Sequence, residues 1–411
     1  MEGQERPCRV CGGRLDSVLN LGNLALPAFP LPGERFAAVA PLDFCQCPAC
    51  ALVQLRHTVD PELLFRQYWY QSGINETMRA ELADVARSAM AWVGGLSAGD
   101  CVIDIGANDG TLLNQLAIPD VTRVAFEPAR NLNTALHQHA DLVVADYFPQ
   151  GLQQLTRLPS AKVICSIACF YDLDDPGTFV QAITQCLAPD GVWVVQFQDL
   201  DQMIRATAFD NICHEHLVYY SLASVERLIE PYGLHVTHAE RRAINGGSYR
   251  LFIQVDTVRA DETVGALRFA EAGCEHWHAL ERFAWRVGEA RRQIQSALTA
   301  VEGTIDLYGA STKGNTLLQY CGLDGGVIRQ AWERSEAKWG RLTATGIPIV
   351  SEAEGRRDPP DLLLVGVWQF REAILRREVA YLQQGGAMLF PLPAVDLVKG
   401  GPLEGVPGYD H

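Results

Sequence analysis

The stretch DCVIDIGANDGTLLNQLA, residues 100–117, constrains the fold more than any other part of the chain. The apolar run Cys101 to Ile105 reads as a buried strand, Gly106 to Gly110 as a tight loop, and Thr111 to Ala117 as the start of a helix. A buried strand that turns directly into a helix is the first βα unit of a doubly wound sheet, whose ligand lies over the carboxyl ends of the strands. The same grammar returns as GTIDLYGASTKGNTLLQYCGL, residues 303–323. The expected fold is therefore α/β with two Rossmann-like domains.

The two loops differ in charge. Asp104 and Asp109 flank the first, where they would repel a pyrophosphate but attract an ammonium and a sulfonium, and S-adenosylmethionine carries both. Gly106 and Asn108 are the loop positions expected against that cofactor. Glu127, at the end of the next strand in RVAFEP, stands 17 residues beyond Gly110, where a carboxylate can accept both ribose hydroxyls. Strands continue through LVVADYF, AKVICSIACFY and VWVVQFQDL; Asp146 or Tyr147 would border the adenine, or form a solvated turn. Gln196 and Gln198 share one face of their strand, directed toward the cleft or marking a polar edge.

The second loop has no acid, and Lys313 stands at its helix start, so backbone amides plus an ammonium would form an anion site with phosphate as guest. It is not a P-loop for ATP, because the lysine precedes Gly314 instead of following it. Residues 260–301 before it carry a continuous helical pattern in which His276 and His278 read as packing or surface residues. PDLLLVGVWQFREAIL and GGAMLFPLP supply a further strand, helix and strand. Two such domains suggest a cofactor on one and a nucleotide-linked substrate on the other.

Ahead of both lie Cys8-x-x-Cys11 and Cys47-x-x-Cys50, two knuckles separated by 35 residues. Four thiolates complete the tetrahedral shell of a structural zinc ion with no open position. Cys45, in FCQCPAC, reads as a half-buried strand residue. Three domains are expected: a small zinc-binding domain at 1–70, a cofactor domain at 71–257 and a C-terminal Rossmann-like domain at 258–411. The formal net charge of −15 argues against nucleic acid or an anionic membrane surface as partner. No apolar run reaches the roughly 20 residues that span a bilayer, and MEGQERPCRVCGG lacks the pattern of a signal peptide, so the expected location is cytoplasmic.

FDNICHEHLVYYS, residues 209–221, is less easily read. Cys213-His214-Glu215-His216 fits a metal site, a catalytic base with its orienting acid, or a polar turn. INGGSYR offers Asn245, Ser248 and Arg250 in a glycine-rich turn, where Arg250 could face phosphate or sugar and the glycines could form a strand-entry bulge.

The order of these parts resembles the sugar C-methyltransferases that act on nucleotide-linked 4-keto-deoxyhexoses. The resemblance runs nearly end to end, through the two knuckles, DIGANDGTLL, FEP, HEH, NGGSYR, YGASTKGNTLLQYCG and GVWQFREAI. It implies a structural zinc in the first domain, S-adenosylmethionine in a class I methyltransferase domain, and a last domain that helps hold the nucleotide sugar. It also implies that Glu215 and His216 line the active site. There a base would remove the proton beside a ketone and the enolate would take the methyl group in building a branched-chain sugar; His216 is the expected base and Glu215 its partner or a sugar-binding group. His214 completes the motif. Two positions depart from the family pattern: Cys213 stands where relatives often have Tyr, and Cys169 in the region of a His. Both absent groups are polar, so the sugar, the atom methylated and the nucleotide base stay open. So does the oligomeric state, a monomer included. A methyltransferase on another acceptor, or a non-catalytic nucleotide-binding zinc protein, are the alternatives.

Overall fold

The computed structural model describes residues 3–34, 38–157, 159–255 and 259–400; the expected domain boundary at 257/258 lies outside the described residues. The N-terminal part builds an antiparallel sheet in which Asp16–Ala25 pairs with Val39–Gln46 and the latter with Val53–Leu55. The fourth strand is Val218–Tyr219, which pairs with Val53 and Gln54 from far along the chain. Phe44 packs against Tyr219 and against Phe283 of the long helix Trp277–Thr299, at ring separations of 4.8 and 5.8 Å. Cys45 is fully rather than half buried, because both faces of its strand are covered.

The central sheet has seven strands in the order Leu234–Arg242, Ser248–Val255, Leu187–Gln198, Ala161–Ile167, Cys101–Ile105, Thr122–Phe126, Leu142–Val144. The last five are parallel and the first two form an antiparallel hairpin on the edge. Chain order reverses at Cys101–Ile105, which opens a crevice at the carboxyl ends. Gly106, which ends that strand, needs its φ of 73°, and a Cβ there would lie 3.1 Å from Cys169 Cβ. The helix Glu76–Trp92 covers one face of the sheet, burying Met78, Leu82, Val85, Ala86 and Ala89 on its inner side, and Asn75 caps it by accepting the Thr77 amide.

The C-terminal sheet has six strands in the order Ile349–Ser351, Ala331–Glu333, Ile305–Tyr308, Leu362–Val365, Ala387–Phe390, Asp396–Lys399, all parallel but the last. Its chain order reverses at Ile305–Tyr308, so it repeats the crevice of the central sheet. The helical pattern of residues 260–301 resolves into two helices, Glu262–Ala270 and Trp277–Thr299, because the chain turns at Gly273 with φ 93°. Among the described residues no helix is long and apolar enough to cross a membrane.

Candidate active site

One cavity of about 980 Å³ collects the loops at the carboxyl ends of both sheets. On the side of the central sheet it is lined by Asp104, Gly106, Asn108, Glu127, Asp146 and Tyr147, six of the seven residues expected at the cofactor. Glu127 accepts the Asn108 amide at 2.7 Å on one carboxylate oxygen and the Ala129 amide at 2.8 Å on the other. These bonds fix the carboxylate and leave a lone pair on each oxygen for a diol. Burial raises its pKa and the two amides pull it back. Asp104 is 3 % exposed, and burial, reinforced by Glu127 and Asp109, holds its carboxyl well above the usual range. A cation placed in this cavity would pull it back toward the ionised form.

Asp109 has a different task. Its Oδ2 accepts the Gly73 amide at 2.7 Å and its Oδ1 accepts the Thr111 hydroxyl at 2.6 Å, so it joins the loop to the segment before the helix Glu76–Trp92 and does not line the cavity. Asn108, at φ 54°, adds to the same seam by accepting the Ser72 amide and donating to Tyr70 O. Asp146 accepts from the Tyr147 amide at 2.9 Å and from Gln154 at 3.0 Å. The Arg66 guanidinium covers the Tyr147 ring 4.9 Å from its centroid, which leaves that ring one face for stacking.

His214, Glu215 and His216 line the middle of the cavity, between a short turn at Phe209–Asn211 and the strand Val218–Tyr219. His216 Nδ1 lies 2.9 Å from Asn211 O. A carbonyl can only accept, so Nδ1 carries the proton and Nε2 keeps a bare lone pair. Burial, together with Lys313, lowers the His216 pKa to about 3, and the ring stays neutral. The Tyr171 ring meets it edge-on at 4.4 Å. His214 is tied elsewhere: its Nε2 donates to Ala40 O at 2.9 Å, a link to the N-terminal sheet, and burial lowers its pKa to about 4. Glu215 does not orient His216, a role taken by the Asn211 carbonyl. It faces Thr312, Lys313 and Lys338 of the C-terminal side, and burial raises its pKa to about 7 against their pull.

The sequence reading missed Asp172, which lines the cavity, and Asp210; both act with Glu215 on the charge of Lys313. Asp210 accepts Trp368 Nε1 at 2.8 Å, while its other oxygen and Asp172 Oδ1 are buried without a hydrogen-bond partner among the described residues. Asp210 sits three residues before Cys213 in the stretch already singled out, so proximity to the motif was the available signal. Cys213 is buried off the cavity with Sγ 4.0 Å from Glu215 Oε2, whereas Cys169 lines the cavity and donates its thiol to Ile105 O at 3.1 Å.

Besides Cys213, four more residues expected at the substrate are placed outside the cavity. Arg250 and Gln196 are cross-strand partners on the face covered by the helix Glu76–Trp92. Arg250 is 0 % exposed, donating to Gln196 Oε1 at 2.9 Å, to Asp84 Oδ2 at 2.7 Å and to Glu81 Oε1 at 2.7 Å. Gln198 donates to Gly247 O at 2.8 Å and Ser248 to Ile244 O at 3.2 Å, both closing the hairpin turn. Asn245 of that turn does reach the cavity.

Outside the cavity lining, the ligand atoms of Cys8, Cys11, Cys47 and Cys50 all lie within 4.8 Å of one another, with Cys8 to Cys50 and Cys11 to Cys47 each at 3.5 Å. Thiolates about 2.3 Å from a zinc ion stand roughly 3.8 Å apart, so the donor set and its spacing fit the ion. Gly13 keeps this cradle open, since a Cβ there would lie 3.2 Å from the sulfurs of Cys11 and Cys47. A Cys47→Ala, Cys50→Ala double variant should lose its zinc by metal analysis of the purified chain; zinc retained in that variant would place the ion elsewhere.

Residues 8–65 match a zinc binding domain family, residues 74–239 a methyltransferase domain and residues 243–393 the C-methyltransferase C-terminal domain. The chain is 31% identical over 407 residues to C-methyltransferase NovU of Streptomyces niveus, covering 94% of this chain and 95% of that one. The chain belongs to this C-methyltransferase family. Solved structures similar to the C-methyltransferase include the plantazolicin methyltransferase BpumL, at 11% identity, TM-score 0.36, over 44% of this chain and 86% of that chain. A second is an S-adenosylmethionine-dependent methyltransferase from Clostridium acetobutylicum ATCC 824, at 10% identity and TM-score 0.35, over 43% of this chain and 92% of that chain. The C-methyltransferase is thus an S-adenosylmethionine-dependent enzyme with a zinc-binding domain at its N-terminus.

Glu127→Ala should weaken S-adenosylmethionine binding, because each charge-assisted hydrogen bond to ribose is worth about 1.5–3 kcal/mol. Calorimetry on the folded variant reads this directly. An unchanged dissociation constant would move the donor away from Glu127.

Proposed function

We propose that this C-methyltransferase methylates the carbon beside the ketone of a nucleotide-linked keto-deoxysugar. The observation that carries the reading is the bare Nε2 of His216 in a cavity shared by the carboxyl ends of two Rossmann-like sheets. Residues 71–257 would hold the methyl donor through Asp104, Gly106, Asn108, Glu127, Asp146 and Tyr147, and residues 258–411 the nucleotide, with 1–70 as the zinc-bearing support. Bound S-adenosylmethionine supplies an electrophilic methyl group on a sulfonium. His216 Nε2 takes the proton from the carbon beside the ketone, while the Asn211 carbonyl keeps the ring in the tautomer that leaves Nε2 free. Glu215 holds a sugar hydroxyl or the ketone side of the ring against the C-terminal wall.

A second assignment of the base has one observation in its favour: the Glu215 carboxyl, raised to about 7, lies in the range where a general base works best near neutrality. The reaction class is the same in both. Incubation with labelled S-adenosylmethionine and a panel of nucleotide sugars, read by mass spectrometry, tests the proposal. Label on carbon of a keto sugar is expected. Label on oxygen, or only on acceptors without a ketone, would replace the proposal by the other methyltransferase reading, and binding without any transfer would leave a nucleotide-binding zinc protein.

A further inference from the structure

We infer that Lys313 is a catalytic residue whose ammonium pairs with the enolate oxygen formed at the ketone, and not the anchor of a diphosphate. This rests on the keto-sugar reading above and adds to it a group that receives the charge. Its surroundings decide against a phosphate. Lys313, Glu215 and Asp172 line one cavity and Asp210 also acts on the lysine's charge, an acid-rich setting that is a poor seat for a diphosphate. Burial lowers the lysine's pKa, and these acids pull it back up. None of them forms a direct ion pair with it among the described residues, so the ammonium keeps donors to offer.

The loop that presents Lys313 is built to hold still. Gly309 takes a left-handed φ of 88°, where a Cβ would lie 2.7 Å from Val367 Cγ2. The Ala310 amide donates to Glu333 Oε2 at 3.2 Å, and Lys338 Nζ donates to Ala310 O at 2.7 Å. Ser311 caps the helix Thr312–Cys321 by accepting the Gly314 amide. A turn that in other Rossmann-like domains faces a phosphate is here locked from both sides, and it presents Thr312 and Lys313 to the cavity that Glu215 and His216 also line. A fixed cation beside a fixed base is what proton removal next to a carbonyl requires.

The electrons balance without another reagent. The C–H bond beside the ketone breaks and its proton goes to His216 Nε2; the electron pair forms the C=C bond, and the carbonyl π pair moves to oxygen, where Lys313 faces the negative charge. Methylation then returns that charge to the C=O bond as the carbon takes the methyl group and the sulfonium sulfur keeps the electron pair of the broken S–C bond. Lys313 stays protonated throughout.

The test uses the full-length protein in heavy water with S-adenosylhomocysteine bound and dTDP-4-keto-6-deoxyglucose as probe. Deuterium entering the carbon beside the ketone is followed by NMR. Wild type should exchange, Lys313→Met should exchange about 10²- to 10³-fold more slowly, and Lys313→Arg should recover part of the rate. Affinities for dTDP and for S-adenosylmethionine should stay within a few-fold in both variants, which also reports that they fold. Lys313→Met exchanging as fast as wild type would overturn the inference and leave the keto-sugar reading standing. So would loss of dTDP binding as large as the loss of exchange, which would make Lys313 a phosphate anchor after all. Wild type that binds the probe without exchanging it would overturn the keto-sugar reading itself, and the role of Lys313 with it.

Discussion

His216→Asn should bind both substrates and lose about 10²- to 10⁴-fold in kcat. Asparagine can replace the hydrogen bond to Asn211 O but has no lone pair that accepts a proton at neutral pH. The same variant, with S-adenosylhomocysteine bound in heavy water, should stop washing deuterium into the keto sugar. Glu215→Gln should keep most of that exchange if it only holds the sugar. The pH profile adds an independent reading of the base, which must be deprotonated to act. With His216 lowered to about 3, kcat/KM carries no acid limb from this group above roughly pH 4. A rise in kcat/KM with a midpoint near 7, together with normal exchange by His216→Asn and none by Glu215→Gln, would move the proton to Glu215.

Arg250→Met should lower stability by about 3–5 kcal/mol, the usual cost of removing one partner from a buried ionic cluster. The methionine fills the space but leaves Glu81 and Asp84 facing the sheet without the guanidinium that neutralised them. Arg242 stays in contact with both carboxylates and places the effect toward the lower end of that range. The hydrogen bond from Arg250 depresses the Asp84 pKa, so its contribution is fully present above about pH 3.9 and is lost as the pH falls through the depressed value. The gap in thermal unfolding temperature between variant and wild type should therefore narrow in acid. A melting temperature equal to wild type at pH 7 would mean that the cluster is structurally neutral.

What the chain discloses before folding, and what it withholds, follow from range. The first loop and Glu127 were legible because strand, loop and next strand are contiguous, so that alternation of apolar runs and glycines fixes which carboxylate ends up at which strand end. Asp109 looks from the sequence like a second counter-charge, yet its oxygens are taken by Gly73 and Thr111, and nothing local says that residue 73 will pass there. Gln196 and Arg250 fail for a related reason. The period of a strand tells which residues share a face but not what covers it, and here the cover is a helix that presents Glu81 and Asp84 one turn apart. Lys313 was legible as a helix-start cation; its carboxylate surroundings come from the turns around residues 172, 210 and 215, which only the tertiary fold brings to it.

The strand that completes the N-terminal sheet has a consequence for biosynthesis. Val218 and Tyr219 emerge more than 160 residues after Leu55, whose strand they cover. At about 5–20 residues per second, that edge waits roughly 8–30 s on the ribosome with unpaired amides and carbonyls. Such an edge is open to pairing with another chain, and cysteine knuckles that take up zinc early would hold it short and in shape until its partner arrives. The partner is also the stretch that follows His216 directly, so the reaction site is set only when the first and middle parts of the nascent chain have closed on each other. Chains that stall or are cut between these segments should be both inactive and prone to aggregate.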